Sequence, residues 1–289
     1  MRGIRAIALC LCLSGQAAGA GDFLWTVSVN SPEVLQGGLV QIEVTGSDLA
    51  EVKGSLRSRE FPFFPSGHGS YASLIGVDLE EKAGIHKIVI RAMNQSGGRS
   101  EKIVALRVVE KEFPRENISV PDSFDRIDEA TRKRIEREQA ELARLWRVTT
   151  GRRFWEGGFL SPVAGEVTSP FGFRRIVNGS PRSPHTGVDL KAHLGTEVLA
   201  ANHGQVVLRD EFFFNGKSIV LDHGGGLYTM YFHLADFRVA KGLQVRKGDL
   251  IGWAGMTGRV TGPHLHWGVR LHGARVDPFE LLEATGNRQ

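Results

Sequence analysis

Two histidines, at positions 264 and 266, form the strongest chemical signal in this sequence of 289 residues. They lie in the run Thr261–Val269, in which apolar and polar residues alternate as they do on a β-strand. His264 and His266 are therefore predicted to face the same side, and Gly268 to leave open space beside them. Two neighbouring imidazoles can bind a metal ion or transfer protons. Two surface histidines on an amphipathic strand would give the same pattern.

A second motif supplies the partners that such a site needs. His185 and Asp189 stand four residues apart, and an imidazole and a carboxylate are both good zinc ligands. With one histidine of the His-x-His pair they make three protein ligands, which leaves a fourth position open, as in catalytic zinc sites. A further histidine, His233, follows Tyr231 in a Tyr-x-His-Leu motif on a predicted neighbouring strand.

The three motifs in this order resemble the lysostaphin-type (LytM-like) zinc endopeptidases, which cut stem peptides or cross-bridges of bacterial peptidoglycan. The resemblance covers residues from about 161 to 282. It implies one zinc ion, and all five positions of the family motif carry the expected residue type. The implied zinc ligands are His185, Asp189 and His266. The implied catalytic pair is His233 and His264, either of which could be the base while the other stabilises the oxyanion or protonates the leaving amine.

Related zinc and cupin proteins fit less well. D-alanyl-D-alanine peptidases of the other zinc class have a longer gap between the histidine and the aspartate, and cupins lack the upstream His-x-x-x-Asp. The predicted function is thus an exported zinc endopeptidase whose partner is peptidoglycan, with the cleaved bond left open. One alternative is a catalytically silent envelope protein that activates a cell-wall amidase. Another is a secreted peptidase that acts on host or rival protein.

The remaining aromatic and histidine positions of this region have ordinary interpretations. The other histidines stand beside glycines or turns and are expected to be surface or packing residues: His193, His203, His223 and His272. The run Phe212-Phe213-Phe214 could line a substrate groove, but packing within a hairpin is an equally good explanation.

The N-terminus carries the pattern of a signal peptide, predicted here as residues 1–20. Arg2 and Arg5 precede an apolar stretch too short to cross a bilayer, and the small residues Ala18–Ala20 suit cleavage. Export to the periplasm or the exterior follows from this prediction. Both cysteines fall inside the signal peptide, so a metal site in the mature protein must use histidines and carboxylates.

The rest of the chain predicts a mainly β protein. Short strands separated by glycine- and serine-rich turns predict an immunoglobulin-like β-sandwich over residues 21–112. Residues 113–156 form a predicted helical linker, in which charged residues surround a narrow apolar stripe. Residues 157–284 predict a glycine-rich antiparallel β domain, with a hairpin whose strands Gln205–Phe214 and Lys217–His223 are joined by an Asn-Gly turn.

Composition excludes several other classes of protein. The hydrophobic fraction of 41% and the charged fraction of 24% are those of a globular protein. Removal of Arg2 and Arg5 with the signal peptide lowers the formal charge from +4 to +2, which is too small to predict nucleic acid as a partner. No run is long and apolar enough to predict a membrane span in the mature protein.

Overall fold

The structure is a computed structural model that describes residues 23–118 and 127–286. The predicted signal peptide lies outside the described residues. The chain divides into two compact units, Met1–Lys111 and Glu112–Gln289. No helix among the described residues has both the length and the apolar character needed to cross a membrane.

The first unit is built from two β-sheets whose buried residues form one core cluster. One sheet has the order β1-β3-β7-β6 and the other the order β2-β9-β8-β4-β5. The strands are β1 (Thr26–Val29), β2 (Glu33–Leu35), β3 (Leu39–Thr45), β4 (Leu49–Leu56), β5 (Arg59–Pro62), β6 (Phe64–Gly67), β7 (Ser70–Gly76), β8 (Gly84–Asn94) and β9 (Arg99–Val109). This two-sheet arrangement agrees with the mainly β prediction, and the immunoglobulin-like topology stays a prediction.

The second unit begins with β10 (Arg115–Ile118) and the helix α1 (Glu129–Leu145). The strands that follow are β11 (Val167–Ser169), β12 (Arg174–Val177), β13 (Ser180–Pro181), β14 (Gly187–Lys191), β15 (Glu197–Leu199), β16 (Gly204–Phe212), β17 (Gly216–Gly224), β18 (Leu227–Phe237), β19 (Gln244–Val245), β20 (Leu250–Ala254), β21 (His264–Leu271) and β22 (Ala274–Val276). The chain then enters helix α2 (Pro278–Ala284), which Asp277 caps and Pro278 begins.

Ten of these strands form one antiparallel sheet with the central order β11-β14-β21-β18-β17-β16-β19. The glycine-rich antiparallel fold predicted for this region is therefore confirmed. Strands β14, β21 and β18 lie side by side, and they carry or adjoin every candidate site residue. A small separate sheet, β10-β12-β13, includes one parallel pair, β10 with β12.

The predicted hairpin forms, but its turn differs from the prediction. Phe212 pairs with Gly216, so three residues, 213–215, make the turn instead of Asn215 and Gly216. Gly216 has a φ of +59°, and a Cβ added there would lie 2.3 Å from Thr257. A three-residue turn followed by a glycine of positive φ is a common hairpin geometry, and close packing against Thr257 favours it here.

Helix α1 packs one face against the large sheet. Asp128 caps its first turn by accepting a hydrogen bond from the backbone N–H of Thr131. Near its other end, Leu142, Leu145 and Trp146 contact an apolar cluster of six residues. Those residues are Leu208, Phe212, Val220, Tyr228, Met230 and Phe232. The narrow apolar stripe predicted for this helix is therefore the face that packs against the sheet.

Candidate metal centre

Strand pairing brings three candidate ligands together. Asp189 on β14 lies directly opposite His266 on β21, and His185 stands two residues before β14 begins. Nε2 of His185 is 2.9 Å from Nδ1 of His266, and both atoms are 3.0 Å from Oδ1 of Asp189. Within the described residues, this is the one group of three such side chains that could hold a metal ion.

The donor set fits a zinc ion. Tetrahedral zinc with bonds of about 2.0–2.1 Å requires donor atoms about 3.3 Å apart, so the three atoms are within about 0.4 Å of the required separations. Nδ1 of His185 donates a hydrogen bond to the carbonyl of Pro170 at 3.0 Å. This leaves Nε2 of the neutral ring with its lone pair directed at the other two ligands.

The electrostatics favour an anionic Asp189. Burial opposes ionisation of this carboxyl, but the close contacts of Asp189 with the imidazoles of His185 and His266 outweigh burial and hold the pKa of Asp189 well below its usual range. Burial also lowers the pKa of His266, which favours the neutral imidazole that a metal requires. A carboxylate together with two imidazoles is a donor set that suits a divalent cation.

The two remaining candidates, His233 and His264, stand beside this group. Their ring centroids are 4.9 Å apart, and the ring of His233 is 6.1 Å from that of His266. Nδ1 of His264 donates to the carbonyl of Gly262 at 2.9 Å, and Nδ1 of His233 donates to the carbonyl of Thr257 at 3.0 Å. Each neutral ring therefore keeps an unprotonated Nε2, an arrangement suited to proton transfer.

Two features distinguish these histidines from each other. Nε2 of His264 is 3.8 Å from Oδ1 of Asp189, so its ring points toward the ligand group without being part of it. Burial lowers the pKa of His233 to about 3, so this ring is neutral near pH 7. Both side chains are in place to accept or donate a proton at Nε2.

The backbone at His233 departs from the predicted alternation. The sequence predicts that His233 shares a face with Thr229 and Tyr231, opposite Phe232. The ring of Phe232 instead stacks on His266 at 5.3 Å, and the ring of His233 reaches the same cluster of histidines. His233 has a φ of +64°, which turns the chain and breaks the period of two at this residue.

The space beside Gly268 is also filled, contrary to the prediction. A Cβ added at Gly268 would lie 2.6 Å from the terminal methyl of Met230. The glycine that accommodates the ligand is Gly187, where an added Cβ would lie 2.7 Å from Nε2 of His266. Gly187 and Gly268 are opposite each other on β14 and β21, so the backbones carrying the site approach closely.

Residues 183–278, which contain all five candidate residues, match peptidase family M23. This segment belongs to peptidase family M23. The resemblance carried by the three motifs is thereby confirmed, and the activity that it implies is that of a peptidase.

Relatives and solved structures agree with this assignment. DD-carboxypeptidase/endopeptidase Mpg of Neisseria meningitidis serogroup B is 39% identical over 132 residues, which are 45% of this chain and 30% of the relative. Peptidoglycan DD-endopeptidase ShyA of Vibrio cholerae serotype O1 is 38% identical over 115 residues, 39% of this chain and 27% of the relative. The chain thus spans less than a third of the length of these curated relatives.

One solved structure is similar over most of the chain. A Pseudomonas aeruginosa protein assigned to peptidase M23 superposes with a TM-score of 0.67 at 29% identity, and the match covers 86% of this chain and 95% of that one. The similarity therefore extends beyond the M23 segment itself into the preceding residues.

The residues that support the M23 site are not evident from the sequence. Thr257 and Asn215 hold His233 through their carbonyls, and Phe232 stacks on His266. Phe232 lies on the face that the alternation predicts, with Tyr228 and Met230, and the residue that departs from the alternation is His233. Hydrogen bonds to backbone carbonyls cannot be predicted from the types of the residues that provide them.

The histidines outside the motifs have varied surroundings. His193 is exposed, whereas His223 is fully buried. His223 donates from Nδ1 to the carbonyl of His203 at 2.7 Å, and its Nε2 lies 2.7 Å from the hydroxyl of Thr229. This contact set makes His223 a packing residue of the M23 domain, one of the two alternatives expected.

Proposed function

We propose that this protein is an exported zinc-dependent endopeptidase that hydrolyses cross-links or stem peptides of bacterial peptidoglycan. The convergence of His185, Asp189 and His266 supports this proposal most strongly, since it provides a three-ligand metal centre inside an M23 peptidase segment. The names of the relatives, which include peptidoglycan DD-endopeptidases, support the substrate class.

His185, Asp189 and His266 are the proposed zinc ligands. A zinc ion at this position would supply Lewis-acid chemistry, polarising the scissile carbonyl and lowering the pKa of water to about 7. The protein's part is to keep Asp189 ionised and His266 neutral, and to hold the three donor atoms close to one another.

His233 and His264 are the proposed catalytic pair. Each ring has Nδ1 fixed by a backbone carbonyl, so each presents an Nε2 that can take up or return a proton. One of the two accepts a proton from the attacking water, and the other stabilises the oxyanion or protonates the leaving amine. Such contributions are typically of order 10²–10⁴ in rate each.

Two measurements on the purified mature protein test the proposal. Zinc content by elemental analysis is expected to be one ion per chain, and incubation with purified sacculi is expected to release peptides. The protein could instead bind zinc, release nothing from sacculi and cleave glycine-rich protein substrates. That result would mean that its substrate is protein and not peptidoglycan. A zinc-free protein that stimulates an amidase would support the activator alternative, which the retention of all five motif residues disfavours.

Export is a separate part of the proposal. The basic, apolar and small-residue pattern of residues 1–20 supports cleavage after Ala20. N-terminal sequencing of the protein recovered from an envelope fraction should begin at Gly21. Recovery of the intact chain from the cytoplasm would contradict this part and leave the catalytic proposal unaffected.

A further inference from the structure

Helix α1 carries a carboxylate on the face that it turns toward the M23 domain. Ile135, Glu138, Leu142 and Leu145 are spaced by three, four and three residues and so share one side of the helix. Ile135 is buried, and both leucines contact the apolar cluster formed by strands β16, β17 and β18. The side chain of Glu138 is only 15% exposed. A carboxylate in such a place is unfavourable unless it is hydrogen-bonded, so its partners are informative.

Glu138 joins the helix to the turn of the β16–β17 hairpin. Its Oε2 accepts a hydrogen bond from the backbone N–H of Phe213 at 2.8 Å, and its Oε1 accepts one from Nε of Arg134 at 2.6 Å. Arg134 also donates through Nη2 to the carbonyl of Glu211 at 2.9 Å. Helix α1 therefore forms hydrogen bonds to the hairpin on both sides of Phe212, at Glu211 and at Phe213.

The same turn holds His233 from the other side. The carbonyl of Asn215, two residues after Phe213, accepts the backbone N–H of His233 at 2.9 Å. The backbone N–H of Lys217 donates to the hydroxyl of Thr257 at 2.9 Å, and the carbonyl of Thr257 accepts Nδ1–H of His233. The first of these hydrogen bonds to His233 comes from the turn itself, and the second comes from Thr257, which contacts the strand that follows the turn.

His233 needs this support because of its backbone. A residue with a side chain rarely adopts a φ of +64°, and it persists there only when its neighbours hold it. Displacement of the turn would release the N–H of His233 and let the residue relax toward the ordinary strand conformation. The imidazole would then leave its place 4.9 Å from the ring of His264.

We propose that Glu138 is a positioning residue for the peptidase reaction, and that it fixes His233 through the Phe213–Asn215 turn. The inference rests on the proposed function, because His233 acts in catalysis only if the protein is a peptidase. Helix α1 precedes residue 183, where the M23 match begins, so this support comes from outside the matched segment.

Three variants of the full mature chain, loaded with zinc, test the proposal. Glu138→Ala removes the acceptor, Glu138→Gln keeps one oxygen for the N–H of Phe213, and Glu136→Ala removes an exposed acid from the same helix as a control. With soluble cross-linked stem peptides, we expect kcat of Glu138→Ala to fall about 10- to 100-fold with KM little changed. Glu138→Gln should recover most of that loss, and Glu136→Ala should match the wild type.

Amide hydrogen exchange gives a second readout that does not depend on activity. The N–H groups of Phe213 and His233 are expected to exchange faster in Glu138→Ala than in the wild type, and at the wild-type rate in Glu138→Gln and Glu136→Ala. Wild-type exchange at His233 together with wild-type kcat in Glu138→Ala would overturn the proposal. A fall in zinc content or melting temperature that accounts for all lost activity would also overturn it, because it would indicate a structural role only.

The two proposals fail in different ways. If the wild type released no peptides from any stem-peptide substrate, the proposed function would fail. The exchange rates at Phe213 and His233 would then decide alone whether Glu138 controls the conformation of His233.

Discussion

Asp189 and His266 lie opposite each other on adjacent antiparallel strands, and Oδ1 of the aspartate is 3.0 Å from Nδ1 of the histidine. His264 is one strand period away, opposite Lys191, and its Nε2 is 3.8 Å from the same oxygen. The two histidines of the His-x-His motif therefore have different relationships to one carboxylate. This difference leads to separate expectations for the two side chains.

Substitution of the two histidines should separate metal binding from catalysis. His266→Ala is expected to lose both zinc and activity, because it removes one of three ligands. His264→Ala is expected to keep zinc and lose activity by about 10²–10⁴-fold, as expected for loss of a proton-transfer group. Elemental analysis and peptide release from sacculi measure the two effects. Zinc loss in His264→Ala with zinc retention in His266→Ala would invert the ligand assignment.

Zinc should stabilise the M23 domain. A ligand that binds only the folded state at a hundred times its dissociation constant adds about 3 kcal/mol to the free energy of unfolding. Treatment with a chelator should therefore lower the melting temperature of the wild type, and added zinc should restore it. His266→Ala provides the matched control, since its melting temperature should not respond to the chelator. If the chelator lowered the melting temperature of both proteins equally, the stabilising metal would have to bind at another site.

Gly187 should be intolerant of even one methyl group. A Cβ there would lie 2.4 Å from the carbonyl oxygen of Trp267 and 2.7 Å from Nε2 of His266. Gly187→Ala is expected to lower the free energy of unfolding by about 1–3 kcal/mol and to weaken zinc binding. At Gly262 an added Cβ meets no atom within 4 Å, so Gly262→Ala should change neither quantity. Chemical denaturation and zinc titration measure the two quantities in both variants. Equal changes in Gly187→Ala and Gly262→Ala would contradict the packing explanation.

Much of the fold could be predicted because the strands near the site alternate strongly. Alternation in the sequence predicts a strand over Leu39–Thr45, which has the same bounds as β3, and the predicted hairpin strands agree with β16 and β17 to within two residues at each end. The sequence does not predict strand β4, Leu49–Leu56, because charged residues at its exposed positions and a glycine in its middle hide the alternation. Gly54 is needed there, since an added Cβ would lie 2.0 Å from the ring of Phe61.

The candidate site could likewise be predicted only in part from the sequence. Side-chain types and spacing identified His185, Asp189 and the three histidines of the other motifs, and the structure brings all five together. The support of His233 was not predictable, because it depends on carbonyls and on a φ that only tertiary contacts impose. Glu138 was likewise hidden, since an acid within a charged helix gives no sign that it lies on the docked face.

The stability of the M23 domain should fall in acid because of His223. This ring is fully buried, and burial lowers the pKa of its imidazole from 6.5 to about 4. Between these values the unfolded chain binds the proton more tightly, so the free energy of unfolding decreases as the pH falls from about 6.5 to about 4. The loss due to this residue amounts to about 3 kcal/mol across that window and is absent above pH 6.5.

His223→Gln isolates this contribution, because glutamine can still donate to the carbonyl of His203 and contact the hydroxyl of Thr229 but does not titrate. Its free energy of unfolding, measured by chemical denaturation at several pH values, should change less than that of the wild type between pH 6.5 and 4. His193→Gln, which replaces an exposed histidine of the same domain, should follow the wild type. Parallel curves for the wild type and His223→Gln would mean that His223 takes up its proton without unfolding, through a local opening that exposes the ring to water.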